Sequence, residues 1–129
     1  MLGLTEIALL YLPMSIPYVW AGNDVQTGLD CSGFVCEISR AAGKLDKRDL
    51  NSQGLFEHFS KIAKGSGIAK DSVLFFGKSV DSIVHVSIAI NHHQMIESAG
   101  EGREQNNKGY VRIRPISWRK DLVAALKVK

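Results

Sequence analysis

Two hydrophobic periods divide the chain. In the first half, apolar residues recur every three or four positions. Leu4, Ile7, Ala8 and Tyr11 mark one face of an amphipathic first helix within "LGLTEIALLYLPM". A loop punctuated by Pro13, Pro17, Gly22 and Gly28 follows. The stripe Phe34, Val35, Ile38 and Ala42 then predicts a second helix over about residues 31–42, with Gly43 as its stop. Leu55, Phe56 and Phe59 predict a third over about 52–63, capped by Asn51 or Ser52. From residue 72 the period changes. "SVLFF" (72–76), "IVHVSIAI" (83–90), "QMIESA" (94–99) and "YVRIRPI" (110–116) are β-branched or aromatic runs bounded by turn residues. "SWRKDLVAALK" predicts a short closing helix. Helices first and an antiparallel β-meander afterwards define an α+β fold.

A chain of 129 residues is long enough for a substantial core and fits one domain over residues 1–129. The apolar N-terminus lacks a basic region and contains Glu6, so it reads as a helix and not as a signal peptide. No apolar run approaches a membrane span, and no membrane insertion is expected. The net charge is +3; Arg112, Arg114, Arg119, Lys120, Lys127 and Lys129 face one acid, Asp121, at the C-terminal end. Without interleaved aromatic residues this basic stretch reads as a solvated surface, not a nucleic-acid groove. No zinc spacing or paired-thiol motif occurs, so neither metal nor organic cofactor is expected. Cys31 and Cys36 point in different directions on one predicted helix, which leaves them free thiols and suits a reducing compartment.

The candidate chemistry lies in "GLDCSGFVCEISRAAG" (28–43). A thiol becomes a nucleophile when it loses its proton, and the unpaired N–H groups of a helix N-terminus favour that loss. Cys31 sits where the second helix should begin, flanked by Asp30 and Ser32, either of which could cap it. The helix pattern alone favours burial for Cys31, because free cysteine is among the most buried residue types. Cys36, inside the helix, reads as packing.

A general base must then reach the sulfur. His58 lies among apolar residues of the third helix, and His92 and His93 fall in the turn "NHHQ". His85 interrupts an otherwise apolar strand and needs a polar partner if buried. An odd-length loop at residues 91–93 would place Glu97 on the face of His85, opposite or diagonal to it; an even-length loop would separate them. A carboxylate there would fix the tautomer of the base and stabilise its imidazolium.

Taken together, "PYVWAGN", "DCSGFV", "SVLFF", "HVSIAI" and "MIESAG", in this order, resemble the NlpC/p60 cell-wall cysteine peptidases, a papain-like family. The resemblance implies that Cys31 is the nucleophile and His85 the general base. It implies that Tyr18 aims its hydroxyl at the oxyanion site, and that Asp30 and Ser32 help hold the substrate's polar end. The family's third catalytic position aligns with Glu97, where histidine is commoner. The implied substrate is a peptidoglycan stem peptide, cut between D-glutamate and a diamino acid. "DLNSQGLFEHF" and "YVRIRPISWRKDLV" resemble compact phage-encoded members, which implies phage tail proteins as partners. The expected history is synthesis in the cytoplasm without a signal peptide and action on the wall from a virion or after lysis. Two rival readings remain: a papain-like amidase or acyltransferase acting on another isopeptide, and a non-catalytic phage tail module that keeps the fold.

Overall fold

A computed structural model describes residues 2–14, 16, 23–24, 28–46, 48–99 and 110–128. Helix α1 (Leu4–Tyr11) buries Leu4, Ile7 and Ala8, as the apolar stripe predicts. Its N-terminus is anchored from afar: the Thr5 amide donates to Asp71 Oδ1 at 2.8 Å, and the Thr5 hydroxyl to the Ala89 carbonyl at 3.1 Å. Strands β1 (Asn23–Asp24) and β2 (Gly28–Leu29) form a short antiparallel pair within the stretch read from the sequence as loop.

Helix α2 (Cys31–Ala41) starts at an Asp30 cap, whose Oδ1 accepts from the Gly33 amide at 2.6 Å. It stops at Gly43, whose φ of 74° lies in the left-handed region that glycine adopts without strain. There the Lys44 amide donates to the Ser39 carbonyl and the Gly43 amide to the Arg40 carbonyl, closing the last turn. Helix α3 (Ser52–Ile62) is capped by Asn51, whose side chain accepts from the Gly54 amide at 2.8 Å.

Among the described residues the main sheet has six strands in the order β3-β8-β4-β5-β6-β7, all antiparallel. They are β3 (Gly65–Ser66), β4 (Ser72–Gly77), β5 (Ile83–Ala89), β6 (Gln94–Ala99), β7 (Tyr110–Pro115) and β8 (Leu122–Lys127). The meander from β4 to β7 follows the predicted runs. The closing helix does not form: Ile116–Trp118 is one 3-10 turn, and Leu122–Lys127 returns to pair with β4. Two ladders, to β3 and β4, outweigh the helical propensity of "LVAALK".

The helices cover one face of the sheet. Phe34, Ile38, Leu55, Phe59, Val73, Phe75, Val86, Ile88 and Ile96 form the core between them, each fully buried. Leu74, Phe76, Ala89, Met95 and Ile116 form a smaller cluster. The α+β architecture expected from the period change is the one observed.

Candidate active site

Cys31 is the first residue of α2 and half-buried. It opens onto a groove of about 240 Å³, shared with Ser52 and Gln53 from α3 and Ile83 and Val84 from β5. Gln53 ties two of these walls together, donating to the Val80 carbonyl at 2.8 Å and accepting from the Ile83 amide at 3.0 Å. Cys36 is buried, exchanging hydrogen bonds with the Leu50 backbone at 3.3 and 3.4 Å.

His85 reaches the site through a break in the ladder. On β4, Phe76 pairs with His85, but the next residue, Gly77, pairs with Ile83. Val84 is therefore an extra residue on β5, and such a bulge re-aims the side chains beside it. Gly77 permits the close approach, because a Cβ there would lie 2.1 Å from the Ser82 carbonyl oxygen. His85 is buried against the Phe76 ring, with centroids 5.5 Å apart.

The turn from β5 to β6 settles the position of Glu97. Ile90 donates to the Gln94 carbonyl, so the loop is the three residues 91–93, and Ala89 pairs with Met95. Continuing that register puts Glu97 opposite Ser87 and diagonal to His85, on one face. Glu97 Oε1 lies 2.7 Å from His85 Nε2, and the Glu97 side chain is fully buried. Its second oxygen accepts from Arg114 Nε at 2.5 Å.

The charges follow from these contacts. Burial pushes the Cys31 thiol up, but its hydrogen bond to His85, the charge of His85 and a hydrogen bond from Ser52 reverse the sign, so it lies below its ordinary value. Burial alone would lower His85, yet Cys31 and Glu97 together raise it to about 9. For Glu97, burial raises the carboxyl, and His85 and Arg114 bring it below the usual range. All three shifts favour a thiolate–imidazolium pair backed by a carboxylate. Cys36 goes the other way: burial holds its thiol up. A deprotonated sulfur at a helix N-terminus beside an imidazolium can attack an electrophilic carbonyl, and the imidazolium can protonate a leaving group.

Of the residues singled out by sequence, Cys31, His85 and Glu97 come together. Asp30 and Ser32 lie beside them, bonded to each other at 3.1 Å, with Asp30 serving as helix cap. Tyr18 lies outside the described residues. His58 bonds the Lys44 carbonyl, and His92 and His93 are exposed in the β5–β6 turn. Two residues of the site went unread in the sequence, Ser52 and Arg114. Ser52 Oγ is 3.6 Å from the sulfur. Arg114, part of the basic stretch read as solvated surface, is instead only 18% exposed and paired with Glu97. No group of three or more potential metal ligands occurs among the described residues.

The sequence profile of the NlpC/P60 family matches residues 15–126. The chain is 30% identical over 116 residues to the bifunctional muramidase/DL-endopeptidase CwlT of Bacillus subtilis (strain 168), covering 88% of this chain and 32% of that protein. It thus spans about a third of that relative's length. The NlpC/p60 domain of the peptidoglycan hydrolase SagA superposes with a TM-score of 0.67 at 23% identity, covering 97% of this chain and 96% of the other. RipD of Mycobacterium tuberculosis, described as a non-catalytic NlpC/p60 domain protein adapted to peptidoglycan binding, superposes with a TM-score of 0.65 at 16% identity, covering 98% of each chain. At such identities the structural likeness speaks for the fold.

Proposed function

The chain belongs to the NlpC/P60 family, and on that footing we propose that it is a cysteine peptidase hydrolysing an amide bond in peptidoglycan stem peptides. The observation that carries the reading is the continuous chain Cys31–His85–Glu97, with the sulfur at a helix N-terminus and open to a groove. Cys31 Sγ attacks the amide carbonyl, forming a C–S bond, and N–H groups at the start of α2 stabilise the oxyanion. The C–N bond then breaks as His85 gives its proton to the leaving amine. Water, giving a proton to His85, hydrolyses the thioester and frees the sulfur. Tyr18 is proposed to add a hydroxyl to the oxyanion site, and Asp30 and Ser32 to meet the substrate's polar end.

The proposed scissile bond joins D-glutamate to a diamino acid. The family pattern and the DL-endopeptidase activity in the name of the B. subtilis relative support it. The likeness of residues 49–59 and 110–123 to compact phage-encoded members supports delivery to the wall by a virion tail. A non-catalytic binder, as RipD is described, has no use for a thiol and a base matched in this way. Mass spectrometry of defined stem peptides after incubation tests the reading: the expected products end in D-glutamate and begin with the diamino acid. Cleavage at another isopeptide only would favour the amidase reading, and an intact peptide set would reject both.

A further inference from the structure

Glu97 is buried completely, and its two oxygens are divided between two cations. Oε1 faces His85 Nε2 at 2.7 Å and Oε2 accepts from Arg114 Nε at 2.5 Å. The second contact crosses the sheet diagonally, because Glu97 pairs in register with Arg112 while Arg114 pairs with Met95. The guanidinium is also held from outside, its central carbon 4.8 Å from the centroid of the Trp118 ring. Trp118 is 63% exposed, so the row that begins at the Cys31 groove ends at solvent.

A carboxylate in a dry interior takes up a proton unless a cation compensates it. His85 alone is a poor guarantor, because its own proton moves during the reaction. When His85 is neutral, only a second and permanent cation keeps Glu97 ionised, and arginine does not lose its proton in proteins. Asp30 beside the sulfur and Asp121 near His85 are both acidic. Arg112 is the other cation facing Glu97, across the β6–β7 ladder. Cys31, His85, Glu97 and Arg114 thus follow one another as acid and base partners of alternating character.

We infer that Arg114 is a positioning residue for the reaction: it holds Glu97 ionised and fixed, and through Glu97 sets the charge state of the His85–Cys31 pair. This rests on the reading of Cys31 as the nucleophile but not on the identity of the substrate.

The test follows the pH midpoint of Cys31 alkylation together with turnover. R114Q removes the charge and is expected to raise the midpoint by about half a pH unit or more, and to lower kcat roughly tenfold or more with little change in KM. R114K keeps the charge and is expected to hold the wild-type midpoint while recovering part of kcat. An unmoved midpoint in R114Q, or an R114K midpoint displaced as far as that of R114Q, overturns the inference. If R114Q does not fold, the substitution is made in E97Q, where no buried carboxylate remains to be neutralised. There it should add no further shift, and a further shift as large as that caused by E97Q itself overturns the inference. Because alkylation needs no wall substrate, the two readings separate. A displaced midpoint without cleavage of stem peptides sinks the substrate assignment alone, whereas cleavage with an unmoved midpoint sinks the role of Arg114 alone.

Discussion

Ser52 Oγ lies 3.6 Å from Cys31 Sγ, and each is the first residue of its helix. The sulfur therefore stands where the N-termini of α2 and α3 converge, each end carrying unpaired N–H groups and a positive dipole end. Asp30 and Asn51 cap the two helices.

Ser52→Ala removes a hydroxyl that bonds the thiolate and leaves the Asn51 cap in place. One such hydrogen bond corresponds to a roughly three- to tenfold loss in kcat/KM, with thiol reactivity displaced to higher pH. Kinetics and alkylation on the purified variant check this, and unchanged values of both would remove Ser52 from the site.

The pH dependence follows from three displaced groups. Activity needs the thiolate, present above the lowered Cys31 value, and the imidazolium, present below about 9. A bell-shaped kcat/KM profile is expected, with its alkaline limb near 9. Stability has its own window. His85 is raised from 6.5, so its contribution is complete below that value and is lost as pH rises through about 9. Glu97 is lowered from 4.5, so its contribution is complete above that value and is lost as pH falls through the lowered one. Cys31 is lowered from 9, so its contribution grows with pH up to that value and offsets the alkaline loss at His85. The unopposed signature is acid: Tm should fall more steeply below pH 4.5 in wild type than in E97Q, and equal falls in the two proteins would contradict the assignment.

Asp30 combines a cap with a negative charge beside the sulfur, and two variants separate these. Asp30→Ala loses the cap and should cost about 1 kcal/mol of stability, whereas Asp30→Asn should keep most of it. Asp30 also raises the Cys31 thiol, so both variants should react with alkylating agents at lower pH than wild type. Equal melting temperatures for Asp30→Ala and wild type would dismiss the cap. A raised KM in Asp30→Asn would point to contact with the substrate.

The period change at residue 72 was enough to read the α+β class, because helix stripes and strand runs are local patterns. Local pattern also misled at residues 122–127. Leucine and alanine there favour a helix, and only the two flanking ladders make them a strand. His85 stood out as a polar break in an apolar strand, and the odd length of the 91–93 loop linked it to Glu97. Arg114 could not be linked in the same way. Its alternation with Val111 and Ile113 shows that Arg112 and Arg114 share a face, but not which residue of β6 they meet. Residues 100–109 separate the strands, and no short turn fixes the register from sequence. Ser52 was legible only as a helix start, because the meeting of α2 and α3 is tertiary.

The central claim is that Cys31 performs the chemistry, and the most direct measurement compares wild type with Cys31→Ala on the same digest of cell-wall peptides, read by mass spectrometry. The substitution removes one half-buried sulfur and leaves the Asp30 cap, His85 and Glu97 in place. The account predicts new peptide ends with wild type and none above background with Cys31→Ala. Equal product formation by the two proteins would contradict it.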